Sequence, residues 1–172
     1  IPYGRIFRIT PKGAWDLVVE YDGEPNGLKF HRDGRTFVTD HTRGLMLLDA
    51  KRGTTETLIN RYNLETFKGL NDLVFAANGD LYFTDQGQSG LDDPTGAVYR
   101  LRANGRLERI AHNIPSPNGL VLNKAENTLY VAVTRANAVW RLPLLPDGTV
   151  SRMGVFIQMS GGRGPDGMAI DE

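Results

Sequence analysis

The sequence contains no cysteine, which removes disulfide frameworks and thiolate chemistry from consideration. It has no excess of charge of either sign, with 20 Lys and Arg against 20 Asp and Glu. A nucleic-acid partner needs a concentrated basic face and is not expected. No apolar run approaches the roughly 20 residues that cross a bilayer as a helix, so no membrane partner is expected either. No stretch of a dozen residues carries the apolar stripe of an amphipathic helix. Histidine is scarce, with His31, His41 and His112 the only three. Glycine is plentiful at 20 residues, alongside nine prolines and no low-complexity tract. That composition suits a turn-rich all-β chain.

One short phrase recurs. Pro25-Asn26-Gly27-Leu28 returns as Leu70-Asn71-Asp72-Leu73, as Pro117-Asn118-Gly119-Leu120 and as Pro165-Asp166-Gly167-Met168. The anchors Asn26, Asn71, Asn118 and Asp166 fall 45, 47 and 48 residues apart. A period in the forties is the signature of a repeat architecture. Each repeat reads as four short strands. In the repeat from Leu70 these are Leu73-Val74-Phe75, then Leu81 to Thr84 after an Asn78-Gly79 turn, then Ala97 to Leu101, then Leu107 to Ile110 after an Asn104-Gly105 turn. The repeats from Leu28 and Leu120 keep the same order, and four-stranded units of this length are propeller blades.

Gly4 to Ile9 within Ile1 to Thr10 matches a third strand, Trp15 to Tyr21 reads as an outer strand, and Gly167 to Ile170 reads as a first strand. The expectation is therefore a single partial β-propeller domain over residues 1–172, cut inside a repeat at both ends and covering roughly three and a half to four blades. Bare strand edges would make such a piece prone to association.

In a propeller the innermost strands line a central channel, so anchors at their entrances converge. Asn71 and Asn118 offer amide oxygens and Asp166 a carboxylate, hard donors that suit calcium or magnesium. None of the three histidines occupies an anchor, which disfavours a nitrogen- and sulfur-ligated zinc site. The same tripeptides are also ordinary turns, in which Pro fixes φ and Asn, Asp or Gly accept left-handed geometry. Asn71 is followed by Asp72 rather than Gly, and the anchors keep register. From the residues alone the turn reading and the metal reading both stand.

Other residues draw a structural expectation. His41 reads as a loop or rim residue, Asp40 and Asp85 as turn caps, and Asp92-Asp93 as a solvated acidic loop. Tyr99, Trp140 and Phe156 read as blade packing, and Arg135 as a rim residue without an assignable role.

Gly69-Leu70-Asn71-Asp72-Leu73 with Tyr82-Phe83-Thr84-Asp85, then Ser116-Pro117-Asn118-Gly119-Leu120, then Gly164-Pro165-Asp166-Gly167-Met168-Ala169-Ile170-Asp171, together resemble the senescence-marker-protein/gluconolactonase/luciferin-regenerating-enzyme family. The resemblance runs across nearly the whole chain in order and spacing. It implies a six-bladed β-propeller with a divalent cation in the channel: calcium first, with magnesium or zinc as alternatives. It implies that Asn71, Asn118 and Asp166 are metal ligands, that Asn71 also meets substrate, that Asp166 is the general base or nucleophile, and that Asp72 is a neighbouring catalytic acid. A further family ligand, a glutamate in Glu-Gly-Pro, has no counterpart here. Glu24 resembles it only superficially, in the register of a different blade. Where regucalcin-like members carry an arginine, this chain has Gly69. The implied activity is metal-dependent opening of a small lactone or ester. A non-catalytic propeller that binds calcium or a partner is the alternative, and phosphotriester hydrolysis a third reading.

Overall fold

The computed structural model describes residues 3–171 and is all β apart from one turn of 3-10 helix at Thr134–Ala136. A two-stranded sheet comes first, β1 (Arg5–Ile9) against β2 (Trp15–Glu20). A four-stranded antiparallel sheet follows, made of β3 (Pro25–Phe30), β4 (Thr36–Asp40), β5 (Gly44–Asp49) and β6 (Thr54–Ile59) in that order. A small hairpin of β7 (Arg61–Tyr62) and β8 (Glu65–Thr66) intervenes. The next sheet holds β9 (Leu70–Phe75), β10 (Leu81–Asp85), β11 (Gly96–Leu101) and β12 (Leu107–Ile114). The last holds β13 (Pro117–Leu122), β14 (Thr128–Val133), β15 (Ala138–Pro143) and β16 (Gly154–Gln158). These are three complete four-stranded blades and one half-blade of a propeller.

Period-two alternation explains why the second strands are buried on both faces. Val38, Met46 and Leu48 pack back onto Val19, Val18 and Ile6 of the half-blade. Phe37 and Leu45 pack forward onto Leu70, Leu73, Leu81 and Phe83. Tyr82, Val98 and Ala111 in turn meet Leu120, Leu129, Val131 and Leu142 of the following blade. Each inter-blade layer is thus a separate apolar cluster. At about 25 cal/mol per Å² of apolar surface removed from water, these layers hold the blades side by side.

The structure corrects several expectations. The first strand of the central blade starts at Leu70, not Leu73, and three of the four anchors, Asn26, Asn71 and Asn118, lie inside their strands as bulges, whereas Asp166 lies in no strand. Asn26-Gly27 stands opposite Thr39 between the pairs Pro25↔Asp40 and Leu28↔Val38. Asn71-Asp72 stands opposite Thr84, and Asn118-Gly119 opposite Ala132, in the same way. A bulge lets two residues face one and re-aims the side chains there. The expected strand from Gly167 to Ile170 is not formed, since that segment makes no ladder with a neighbour. The strand expected over Gly4 to Ile9 forms from Arg5 to Ile9. Ile1, Pro2 and Glu172 lie outside the described residues. Tyr99 is buried as expected and Trp140 packs against the last cluster. Phe156 instead leaves half its surface exposed beside Tyr130.

Candidate active site

The bulges build one end of the blades. In the first complete blade the Gly27 N–H donates to Thr39 Oγ1 at 2.9 Å, and that hydroxyl donates to the Asn71 backbone oxygen of the next blade at 2.6 Å. In the central blade the Asp72 N–H donates to Thr84 Oγ1 at 3.1 Å, and Thr84 donates to the Asn118 backbone oxygen at 2.7 Å. In the last blade Ala132 stands at the threonine position, and the Gly119 N–H reaches the Asp166 backbone oxygen directly at 3.1 Å. The anchors Asn71, Asn118 and Asp166 are therefore brought into one file by their own main chains.

Their side chains differ in environment. Asn71 and Asn118 are buried, whereas Asn26 and Asp166 are exposed. The Asn71 Nδ2 donates to Gln86 Oε1 at 2.9 Å, and Gln86 Nε2 donates to Ser116 Oγ at 2.8 Å. The Asn118 Nδ2 donates to Thr134 Oγ1 at 3.2 Å. The Asn118 Oδ1 is buried without a hydrogen-bond partner. The Asp166 carboxylate has no hydrogen bond among the described residues, although Pro165 O beside it accepts from Thr134 Oγ1 at 2.7 Å. Asp72, half-buried, caps its own strand by accepting the Leu73 N–H at 2.8 Å. Its counterparts Gly27 and Gly119 have no room for a side chain, because a Cβ there would lie 2.9 Å from Asn71 O and 2.5 Å from Asp166 O respectively.

Three residues belong here that sequence reasoning set aside or missed. Gln86, Ser116 and Arg135 line an open polar cleft of about 380 Å³, together with Ser89, Asp92 and Asp93. Ser116 is buried at φ 60°, its N–H donating to Ser89 Oγ at 2.9 Å. The signal for Gln86 was its register: it follows Asp85 as His41 follows Asp40, just past the second strand.

His41 is no free rim residue. Its ring lies against Gly69, where a Cβ would come within 2.2 Å of it. The glycine is also at φ +152°, and its N–H donates to Asp85 Oδ1 at 2.8 Å. The imidazole therefore fills the space into which any side chain at 69 would start. Asp85 holds the Lys68 and Gly69 amides, and Asp40 accepts from the Thr42 and Arg43 amides, so both are turn caps. Burial pushes the Asp85 carboxyl above its ordinary pKa, against the pull of the two amides and of the Lys68 and His41 charges. Among the described residues no three His, Asp or Glu side chains gather as a metal centre. Any cation here would rest on amide oxygens beside Asp166.

The model of the SMP-30/gluconolactonase/LRE-like region matches residues 1–172. The chain belongs to this family. Among curated relatives, the lactonase drp35 of Staphylococcus aureus strain MW2 is 33% identical over 180 residues, covering 98% of this chain and 54% of that protein. The lactonase drp35 of Staphylococcus saprophyticus is 31% identical with the same coverage. The chain thus spans about half the length of the curated relatives it matches. Among solved structures, a gluconolactonase from Xanthomonas campestris superposes with a TM-score of 0.85 at 27% identity, over 97% of this chain and 59% of that one. A calcium-binding regucalcin from Agrobacterium tumefaciens superposes with a TM-score of 0.77 at 21% identity, over 95% of this chain and 56% of that one. The second likeness establishes the fold alone.

Proposed function

We propose that these residues form part of the active site of a cation-dependent lactone hydrolase. The observation that carries the reading is the Asn118 Oδ1, an amide oxygen buried with nothing to accept from. An unpaired buried acceptor costs about 1–3 kcal/mol, a penalty that a bound cation relieves. The donor set, two amide oxygens and a carboxylate, fits a hard divalent cation, calcium before zinc. Asn71, Asn118 and Asp166 would hold it. A bound dication supplies Lewis acidity toward a lactone carbonyl.

The chain's own residues account for the rest. Asp166 carries a solvent-reachable carboxylate with no competing hydrogen bond among the described residues. It takes a proton from the attacking water as general base, or attacks the carbonyl itself as nucleophile. On the general-base route the ring C–O bond breaks and the alkoxide takes up the proton drawn from the water, leaving a hydroxy acid; on the nucleophilic route ring opening leaves an anhydride with Asp166, which a water then hydrolyses to the same hydroxy acid. Asn71, its Nδ2 tied back to Gln86, turns its other end toward substrate. Asp72, at the join between two anchors, orients the reacting groups. The polar cleft beside Gln86 and Ser116 is open to a small hydroxylated ester, and Arg135 is the cation at its lip.

The relatives called lactonase and gluconolactonase support the reaction class, and the chemistry of the donor set supports the ion. The test is hydrolysis of simple lactones by the intact protein with calcium and with a chelator. Turnover that needs calcium and vanishes in Asp166→Asn is the expected result. Calcium binding without turnover would leave a binding propeller, and turnover that survives chelation would remove the cation.

A further inference from the structure

We propose that Thr134 is a positioning residue that decides which way round the Asn118 amide sits. The inference rests on the cation reading above and deepens it. A threonine hydroxyl has one hydrogen and two lone pairs. The Thr134 hydrogen is committed to Pro165 O at 2.7 Å. Only acceptor capacity remains for Asn118, whose Nδ2 donates to it at 3.2 Å. With the amide turned over, Oδ1 would face Oγ1, two acceptors with no proton between them. Thr134 thereby selects the orientation that leaves Oδ1 unpaired and available to a cation.

The hydroxyl is itself held in place. The Thr134 N–H donates to Ser116 O at 3.0 Å. Gly164 lies so close that a Cβ on it would be 2.0 Å from Thr134 O, and at φ +94° it suits no side chain. Through Pro165 O, the same hydroxyl ties down the peptide that leads into Asp166. One side chain thus sets the direction of one candidate ligand and the backbone of another.

A second blade repeats the arrangement with different chemistry. Gln86 stands one residue past Asp85, as Thr134 stands one past Val133, and both Asp85 and Val133 end their second strands. Gln86 accepts from the Asn71 Nδ2 as Thr134 accepts from the Asn118 Nδ2. The position just past the second strand therefore holds the NH2 end of its own blade's anchor in both blades.

The test is calcium titration of the intact protein by calorimetry, with kcat and KM for a simple lactone measured alongside. Thr134→Val keeps the shape and removes the hydroxyl. It should weaken calcium about 10- to 100-fold, the usual effect of losing a group that orients a ligand. Thr134→Ser should restore wild-type affinity, and Thr128→Val, at the far end of the strand that leads into Thr134 and away from the anchors, should retain it. In an Asn118→Asp background, where both ends of the side chain are oxygens, Thr134→Val should change affinity by about twofold or less, whereas a merely structural role would give the same loss in both backgrounds. Equal calcium affinity in wild type and Thr134→Val overturns the role of Thr134 and leaves the cation reading intact. A wild type that binds no divalent cation overturns both. Should Thr134→Val fail to fold, Thr134→Ser carries the test by NMR. Slow solvent exchange of the Asn118 side-chain NH2 there and in wild type is expected, and exchange at the rate of a free amide overturns the assignment.

Discussion

Thr84 Oγ1 lies 2.7 Å from the backbone oxygen of Asn118 and takes the Asp72 N–H in return. One hydroxyl thus joins two blades at two of the residues expected to do chemistry. Thr84→Val would leave an amide and a carbonyl facing each other unsatisfied, at a cost of about 1–3 kcal/mol. Ala132→Thr would place extra atoms where Gly119 and Asp166 already bond directly, and overpacking of that kind costs about 1–3 kcal/mol. Urea midpoints of both variants check this, and the expected outcome is a loss for each substitution despite their opposite chemistry.

Asp166→Asn keeps the shape of the side chain and removes its basicity. Lactone turnover should fall by about 10²- to 10⁴-fold, the range of a positioned general base, with the melting temperature little changed. A variant that turns over at the wild-type rate takes Asp166 out of the reaction.

Calcium should stabilise the folded protein by mass action, about 2.7 kcal/mol at a hundredfold excess over Kd. Asn118→Leu should lose that response. Without calcium the same variant should lie within about 1 kcal/mol of wild type, because it removes a buried unpaired acceptor along with the hydrogen bond to Thr134. Melting curves with calcium and with a chelator separate the two effects.

Gly69→Ala should destabilise by about 2 kcal/mol or more, since its Cβ meets the His41 ring and its φ is positive. Adding His41→Ala should recover part of the loss by vacating the space. Two losses that simply add would show that the ring is not what crowds the site.

Burial raises the pKa of Asp85 in the folded chain, so the folded state keeps the proton to higher pH than the unfolded one. Its contribution to stability is then fully present below the usual carboxylate value of about 4 and is lost as pH rises through the higher folded value. The stability of wild type minus that of Asp85→Asn should be greatest below about pH 4 and decline toward neutrality. A difference that grows with pH instead would mean that the Lys68 and Gly69 amides and the Lys68 and His41 charges outweigh desolvation.

The blades were legible because the repeat is long and the strands between its turns are rich in β-formers. Leu81 to Asp85 and Gly96 to Leu101 fall nearly where the pattern puts them. The bulges were not legible. Asn71-Asp72 breaks the apolar alternation, which reads as a loop before a strand, and only the resumed pairing of Leu70 with Asp85 puts it inside one. The candidate ligands were visible as recurring oxygens at fixed spacing. What holds them was not: Gln86, Ser116 and Thr134 are ordinary polar residues whose meaning lies in which atom they present to which. Arg135 and His41 were set aside for the same reason, since a lone side chain past a strand end carries no direction until its neighbours are known.

The main-chain oxygens of Asn71, Asn118 and Asp166 add polar ties across to the preceding blade, beside the apolar layers, and leave the side-chain oxygens Asn118 Oδ1 and those of Asp166 without an architectural partner among the described residues. On the proposed reading, a change of donor type at any of these positions would alter the chemistry offered to a bound ion while the main-chain contacts stay in place. Such a design would separate a durable chassis from an exchangeable set of tools, with ion preference open to retuning one substitution at a time.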